Sequence, residues 1–268
     1  MSVLTPGSTV VPDPDAEAPA AAPAPARRRR PLFGYLATPL VLGLACGALY
    51  LWIQGKELDS IEERLLNAEG IQNGVIEHLK LTGASTVFVI LIAVPLGILL
   101  TRSFAKWFTP GVIALANIGQ MVPSIGVLVL LALVWDIGFQ PSVVALVAYA
   151  LLPVLRNTIV GLQQVDRSVI ESGRGMGMTK RRVLVRIELP LAVPVILAGV
   201  RTALVINVGA ATLAAYVNAG GLGDIIVGGL STSRDNVIIT GAVLTAVLAL
   251  FIDWLGAVVE DLLRPKGL

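Results

Sequence analysis

Long apolar runs alternate with short polar ones along this chain. Six of the runs have about the 20 residues that a helix needs to cross a bilayer: Tyr35–Ile53, Leu81–Leu100, Gly111–Trp135, Pro141–Val160, Leu191–Val217 and Val237–Val259. Only Asp136–Gln140 separates the third run from the fourth. The fifth is longer than a span requires, which predicts a tilted helix or one that begins in water. The pattern predicts an all-α fold, a polytopic membrane bundle of six transmembrane helices. Residues 1–30 are rich in Pro and Ala, lack a large apolar run and end in Arg27–Arg30. A disordered tail is expected there, with the membrane domain filling 31–268. The first run follows a long tail and is long enough to span, so it reads as a retained helix and not as a removable signal.

Two polar stretches interrupt this pattern. Gln54–Lys80 carries Glu57, Asp59, Glu62, Glu63, Glu69 and Glu77 among alternating apolar residues. It predicts an amphipathic helix at the membrane surface, either solvated or facing an external partner. His78, at its end, reads as an interfacial residue. The second stretch, Glu171–Pro190, reads E-S-G-R-G-M-G-M-T-K-R-R-V-L-V-R-I-E-L-P. Arg174, Lys180, Arg181, Arg182 and Arg186 are interleaved there with Met176, Met178, Val183, Leu184, Val185, Ile187 and Leu189. Folded as two short helices, the apolar set faces one way while the charges stay in water. Gly173, Gly175 and Gly177 permit a tight bend and close backbone approach. Pro190 suits a break or the first turn of the next helix. Such a segment is either a basic loop that sets membrane orientation or a docking surface for a partner.

Polar residues inside the spans cost free energy in lipid and so tend to face a bundle interior. Asn117 and Gln120 precede Pro123, which opens the third helix and exposes carbonyl groups. Tyr149, Pro153, Arg156 and Asn157 share a face of the fourth. Arg201, Thr202 and Asn207 lie in the fifth and Asp253 in the sixth. Arg156 and Asp253 fall near helix ends, where snorkelling is expected. Arg201 lies roughly 16 Å past Pro190, too deep for that, and is expected to face protein or water. Asn117, Gln120 and Asn207 fit a translocation pathway and interhelical hydrogen bonding equally well. Asn218–Asp224, N-A-G-G-L-G-D, permits sharp turns that dip back toward the membrane.

Composition narrows the class. Hydrophobic residues make up 55% and charged residues 14%, against about 25% charged in soluble domains. A mean hydropathy of +0.82 excludes a soluble globule. One cysteine, Cys46, and one histidine, His78, leave no disulfide framework and no metal site built from either residue. The chain has no H-E-x-x-H, no G-x-S-x-G and no paired intramembrane aspartates, which argues against an intramembrane enzyme. It has no G-x4-G-K-[ST] loop, so it does not bind ATP in that way. Few intramembrane acids argue against an ion-coupled carrier or channel. With the N-terminus inside, the inner segments hold Arg27–Arg30, Arg102, Lys106, Arg156, Arg167, Arg174, Lys180, Arg181, Arg182, Arg186, Arg264 and Lys266, and the outer ones hold Lys56, Arg64, Lys80 and Arg234. That bias of about four to one places both termini and the basic loop in the cytoplasm.

The spacing of Glu171, Gly177, Ile187, Leu189 and Pro190 resembles the loop E-A-A-x3-G-x9-I-x-L-P of ATP-binding-cassette importer permeases. Ser172 and Gly173 depart from it where the pattern has two alanines. The stretch Gly199–Asp224 is similar to the branch that carries glycine betaine, carnitine, choline and related osmoprotectants. The resemblance implies a type I importer permease with no catalytic residue and no cofactor of its own, ATP and Mg being bound by a partner ATPase. On this resemblance Glu171, Ser172, Gly173, Gly177, Arg181, Ile187, Leu189 and Pro190 couple to cytoplasmic ATPase subunits. Asn117, Gln120, Pro123, Arg201, Asn207, Asn218, Gly220, Gly221 and Asp224 are the candidate pathway and gate residues. A second permease copy or paralogue, an external binding protein and membrane lipid are the further partners, with no nucleic acid. The location expected is the cytoplasmic membrane of a prokaryote. The last predicted span ends nine residues before the C-terminus, so the binding protein is expected on a separate chain. Permeases for methionine or phosphonate are the alternative, because they share the loop and a glycine-rich outer turn.

Overall fold

The computed structural model describes residues 32–105 and 107–263. The tail over 1–30 and three cations in the charge count, Lys106, Arg264 and Lys266, lie outside the described residues. Helix α1 (Leu32–Gln54) follows its apolar run. The acidic stretch after it is organised by side-chain caps. Asp59 Oδ1 accepts the Ile61 and Glu62 N–H groups, and Glu62 Oε2 accepts the Asp59 N–H at 3.1 Å. This reciprocal capping box starts α2 (Ser60–Leu65). Those bonds, the Glu62 N–H first, hold the Asp59 carboxyl below its ordinary value. Asn67 Oδ1 then accepts the Gly70 N–H at 2.6 Å and starts α3 (Ala68–Leu100).

The second expected span therefore begins at Ala68 and not at Leu81. At 1.5 Å per residue α3 is about 50 Å long, against a hydrocarbon core of about 30 Å, so its first turns extend past the core. Those turns do not lie free on a surface. Gly74 and His78 are buried, and His78 is fully inaccessible, with Nε2 at 3.0 Å from the Val208 carbonyl. The interfacial position expected for His78 is incorrect: one wall of its pocket comes from residues more than a hundred positions downstream.

The third run forms α4 (Thr109–Met121) and α5 (Ser124–Val134), bent by 91°. Val122 is extended, at φ −69° and ψ 132°, as the residue before a proline prefers, and Pro123 has no N–H to continue the ladder. The expected opening at Pro123 is present and sharp. Helix α6 (Phe139–Gln163) and α7 (Arg167–Gly175) follow. Next come α8 (Lys180–Val183), a π-helical turn over Leu184–Glu188 and α9 (Leu189–Ala211). A 3-10 turn (Thr212–Val217), α10 (Leu222–Thr232) and α11 (Asp235–Leu263) complete the described chain. Among the described residues five helices are long and apolar enough to cross a membrane, and a sixth crossing results if the bent pair counts as one.

The centre of the bundle is α3, α6 and α9. Leu81, Val89 and Ala93 of α3, Val154 and Leu155 of α6, and Ala192 and Ala203 of α9 are buried. Without a hydrophobic driving force between helices in lipid, close backbone approach supplies the packing energy. A Cβ on Gly199 would lie 2.7 Å from Asn157 Cβ and 2.8 Å from the Pro153 carbonyl; one on Gly97 would lie 2.7 Å from Thr158 Cβ. The two ends of the bundle differ in content. Tyr35 Oη donates to Asp261 Oδ2 at 2.6 Å, so the two described termini share one end, with α7 and α8. The opposite end holds α2, the start of α3 and the turn into α10. Arg234 Nε pairs there with Asp59 at 2.8 Å.

Candidate functional site

The basic segment begins earlier than its polar composition suggests. Asp166 Oδ1 accepts the Ser168 N–H at 2.8 Å and starts α7 four residues before Glu171. The same bond holds the Asp166 carboxyl below its ordinary value. Glu171 and Ser172 therefore sit mid-helix and exposed, with Ser172 Oγ donating to the Ser168 carbonyl at 2.8 Å. Gly173 is the close-approach position: a Cβ there would meet Ile187 Cδ1 at 2.6 Å. The helix closes with the Met178 N–H donating to the Gly173 carbonyl at 3.2 Å and Gly177 at φ +81°. That left-handed cap favours glycine. Space around Gly177 is open, so its requirement is conformational and the close packing falls on Gly173.

Thr179 caps α8 through the Arg182 N–H at 3.3 Å. From there the helix runs without interruption through the π turn into α9. Of the two positions expected for Pro190, a break or the first turn of the next helix, it takes the second, in the first turn of α9. The Leu189 N–H bonds to the Leu184 carbonyl, five residues back. The wider turn takes up the register change next to a residue that has no N–H of its own. Val183 is fully buried, but Met176 is 75% exposed and Val185 55% exposed, so the expected one-sided burial of the apolar set is incomplete. Arg174, Arg181 and Arg186 are also exposed. The segment therefore presents apolar side chains within a basic rim.

Sequence reasoning passed over Glu188. It lies between Ile187 and Leu189, is 5% exposed, and accepts from Arg102 Nη2 at 2.7 Å. The Arg102 guanidinium also donates to the Ile98 carbonyl and to Thr101 Oγ1 at the end of α3. The available signal was an acid flanked by apolar residues inside an otherwise basic segment.

At the opposite end, Asn218 (φ +57°), Gly220 (φ +79°) and Gly221 (φ +102°) turn the chain from the 3-10 helix into α10. Glu77 Oε2 accepts the Gly221 N–H at 3.0 Å, and a Cβ on Gly220 would overlap that carboxylate. A Cβ on Gly221 would lie 3.2 Å from His78 Nδ1. Asp224 follows in the first turn of α10, where burial and then the nearby Glu77 push its carboxyl above its ordinary value. The structure thus brings Gly220, Gly221 and Asp224 together around Glu77, with Asn218 opening the same turn. One acid among six in that stretch carried no signal for this role.

The polar residues within the spans do not converge on one cavity. Asn117 Oδ1 accepts from Arg156 at 2.8 Å, and Gln120 Nε2 donates to the Tyr149 carbonyl at 3.1 Å, so both tie α4 to α6. Asn207 is fully buried and donates to Thr86 Oγ1 at 3.1 Å, tying α9 to α3. Arg201 faces α11 and grips Asp253 with two bonds at 2.5 and 2.6 Å, with Glu260 at 3.9 Å. Asp253 therefore does not snorkel as expected, because its cation comes from the neighbouring helix. Arg201 is covered by protein on that side.

Comparison with known proteins follows the same outline. The family model described as "Binding-protein-dependent transport system inner membrane component" matches residues 93–265. The chain is 43% identical over 192 residues to the glycine betaine/carnitine/choline transport system permease protein OpuCB of Bacillus subtilis, covering 72% of this chain and 88% of that one. It is 37% identical over 216 residues to the osmoprotectant import permease protein OsmW of Salmonella typhimurium, covering 79% and 100%. Among solved structures, an inward-facing form of the MetNI methionine transporter superposes with a TM-score of 0.65 at 27% identity, covering 73% of this chain and 97% of that one. An amino acid transporter solved with histidines shares the fold, with a TM-score of 0.62 at 19% identity over 76% and 99% of the two chains.

Proposed function

The chain belongs to the family of binding-protein-dependent transport system inner membrane components, and we propose that it carries a quaternary-ammonium osmoprotectant such as glycine betaine, carnitine or choline. It is a non-catalytic permease subunit of an ATP-binding-cassette importer. Its similarity to permeases named for those solutes, at 39–44% identity, carries the substrate reading. The methionine reading is supported by the 27% identical MetNI structure, a more distant relative.

In this reading the protein works in the cytoplasmic membrane of a prokaryote, both termini and the 171–190 segment facing the cytoplasm. Partner ATPases bind ATP and Mg and receive the segment through Glu171, Ser172, Gly177, Arg181 and the exposed Met176 and Val185. Gly173, Ile187, Leu189 and Pro190 set its shape from within. An external binding protein delivers solute near Asn218–Asp224, and a second permease, a copy or a paralogue, completes the pathway. Because the helix from Lys180 into α9 is continuous, no flexible loop absorbs motion between the ATPase contact and the bundle. Closure of the ATPases on ATP therefore tilts α9 directly and rocks the bundle between inward and outward access; hydrolysis resets it. Asn117, Gln120, Pro123, Arg201 and Asn207 serve this cycle by holding α4, α6, α9, α3 and α11 in register.

The test is uptake into proteoliposomes holding the complex with its ATPase and binding protein, using labelled glycine betaine, carnitine, choline and methionine. ATP-dependent accumulation of at least one quaternary ammonium compound is expected. Uptake of methionine alone would transfer the chain to the second reading. Uptake that ignores ATP would exclude both.

A further inference from the structure

Helix α3 is fastened at both ends to the two segments that matter for transport. At one end Arg102 is fixed to the last turn of α3 by the Ile98 carbonyl and Thr101 Oγ1, and its Nη2 reaches the buried Glu188 at 2.7 Å. A cation at a helix C-terminus also complements the helix dipole. At the other end Glu77 accepts the Gly221 N–H at 3.0 Å, and Gly220 and Gly221 leave no room for a Cβ over Glu77 and His78 without a shift. The turn is packed and hydrogen-bonded directly on α3. Between Glu77 and Leu100 the helix covers about 35 Å.

Helix α9 joins the same two segments covalently: the π turn precedes it, and the glycine turn follows its 3-10 extension. The two helices and the two segments make a closed frame. Three buried polar atoms lie along this frame without a hydrogen-bond partner among the described residues, namely His78 Nδ1, Thr82 Oγ1 and Asn207 Oδ1. Buried polar groups are nearly always satisfied in a final arrangement. Here the polar groups between α3 and α9 are only partly matched, through the Asn207–Thr86 bond at 3.1 Å and the contact of His78 Nε2 with the Val208 carbonyl at 3.0 Å. A second arrangement of α3 against α9 would use the remaining atoms, and packed helices favour such discrete alternatives over continuous deformation.

We propose that α3 is a strut linking the 171–190 segment to the glycine turn, with Glu188 and Glu77 as the positioning residues at its ends, so that displacement of α3 relative to α9 moves the turn. This inference rests on the reading of 171–190 as the ATPase contact. Displacement at Glu188 draws Arg102 with it, and α3 carries it to Gly221. Neither glutamate touches solute.

The test uses the complete complex in a Cys46→Ala background with Ala219→Cys as a reporter in the turn. The rate of labelling by an impermeant thiol reagent is compared with and without a non-hydrolysable ATP analogue. Wild type is expected to show a nucleotide-dependent change in rate. Glu188→Met and Glu77→Met, close in length but with no oxygen to accept from Arg102 or from the Gly221 N–H, are expected to retain ATPase co-purification yet lose most of that change, with less glycine betaine taken up per ATP hydrolysed. The double variant should be no worse than either single one, because both act on one strut. Exchange of the pair, Arg102→Glu with Glu188→Arg, should recover part of the response. A full nucleotide response in either single variant, or strictly additive losses in the double, overturns the strut. Uptake by the wild-type complex on the same vesicles tests the parent reading separately, since transport without any nucleotide response at Ala219→Cys defeats the strut alone.

Discussion

Replacing Arg201 by leucine removes two guanidinium bonds to Asp253, at 2.5 and 2.6 Å, and the longer approach to Glu260 at 3.9 Å. Arg201 lies 12 residues into α9, about 18 Å from its start, and Asp253 lies 10 residues from the end of α11, about 15 Å. Both side chains are part-buried between α9 and α11. Removing one partner of a buried ion pair costs about 3–5 kcal/mol. The side chains are 29% and 34% exposed, so the lower figure applies, about 3 kcal/mol. Asp253→Asn leaves Arg201 beside Glu260 and should cost less, about 1–2 kcal/mol. Arg201→Leu with Asp253→Leu removes both charges; swaps of that kind are near neutral or stabilising. Thermal unfolding in mild detergent, followed by gel filtration of the heated samples, ranks the four proteins. The order expected is wild type close to the double variant, then Asp253→Asn, then Arg201→Leu. A single Arg201→Leu variant as stable as wild type, or a double variant no better than it, would falsify the ion-pair account. Uptake then separates two roles. A double variant that is stable but inactive gives Arg201 a part in transport, whereas recovery of both makes the pair a brace between α9 and α11.

Three further outcomes are expected. Gly177→Asp places a Cβ and an acid at φ +81° on an exposed face; the chain should still insert, but ATPase co-purification and uptake should fall, whereas Arg181→Ala should cost only about 0–1 kcal/mol. The reverse ranking would mean that charge and not backbone shape makes the contact. In a Cys46→Ala background, Ser231→Cys should react with an impermeant thiol reagent in intact cells and Thr179→Cys should not; the opposite pattern inverts the topology. Asp224 has a folded-state value raised by burial and by Glu77. The folded protein therefore binds that proton more tightly, and stability should rise as pH falls through the raised value toward the ordinary 3.8. Asp224→Asn should abolish this rise and melt higher at pH 7; a variant that melts lower there would show that the carboxylate is a net stabiliser.

The hydrophobic pattern determined the fold class and the apolar part of every long helix, although α3 starts 13 residues before its expected apolar run. Runs of about 20 apolar residues have one stable form in lipid, a helix that satisfies its own backbone. The break at Pro123 and a bend among Gly173, Gly175 and Gly177 were equally legible, because proline and glycine restrict or free the backbone whatever surrounds them; that the left-handed residue is Gly177 came from the structure. Periodicity could not assign partners. Asp253 looked like a helix-end acid until α9 placed Arg201 against it. His78 looked interfacial until Val208 and Gly221 closed over it. Glu77 and Glu188, 111 positions apart, stand out only when α3 links Gly221 at one end to Arg102 at the other. Local backbone preference belongs to a few adjacent residues and is written in the sequence. An ion pair or a buried hydrogen bond depends on which helix faces which, and only the packed bundle decides that.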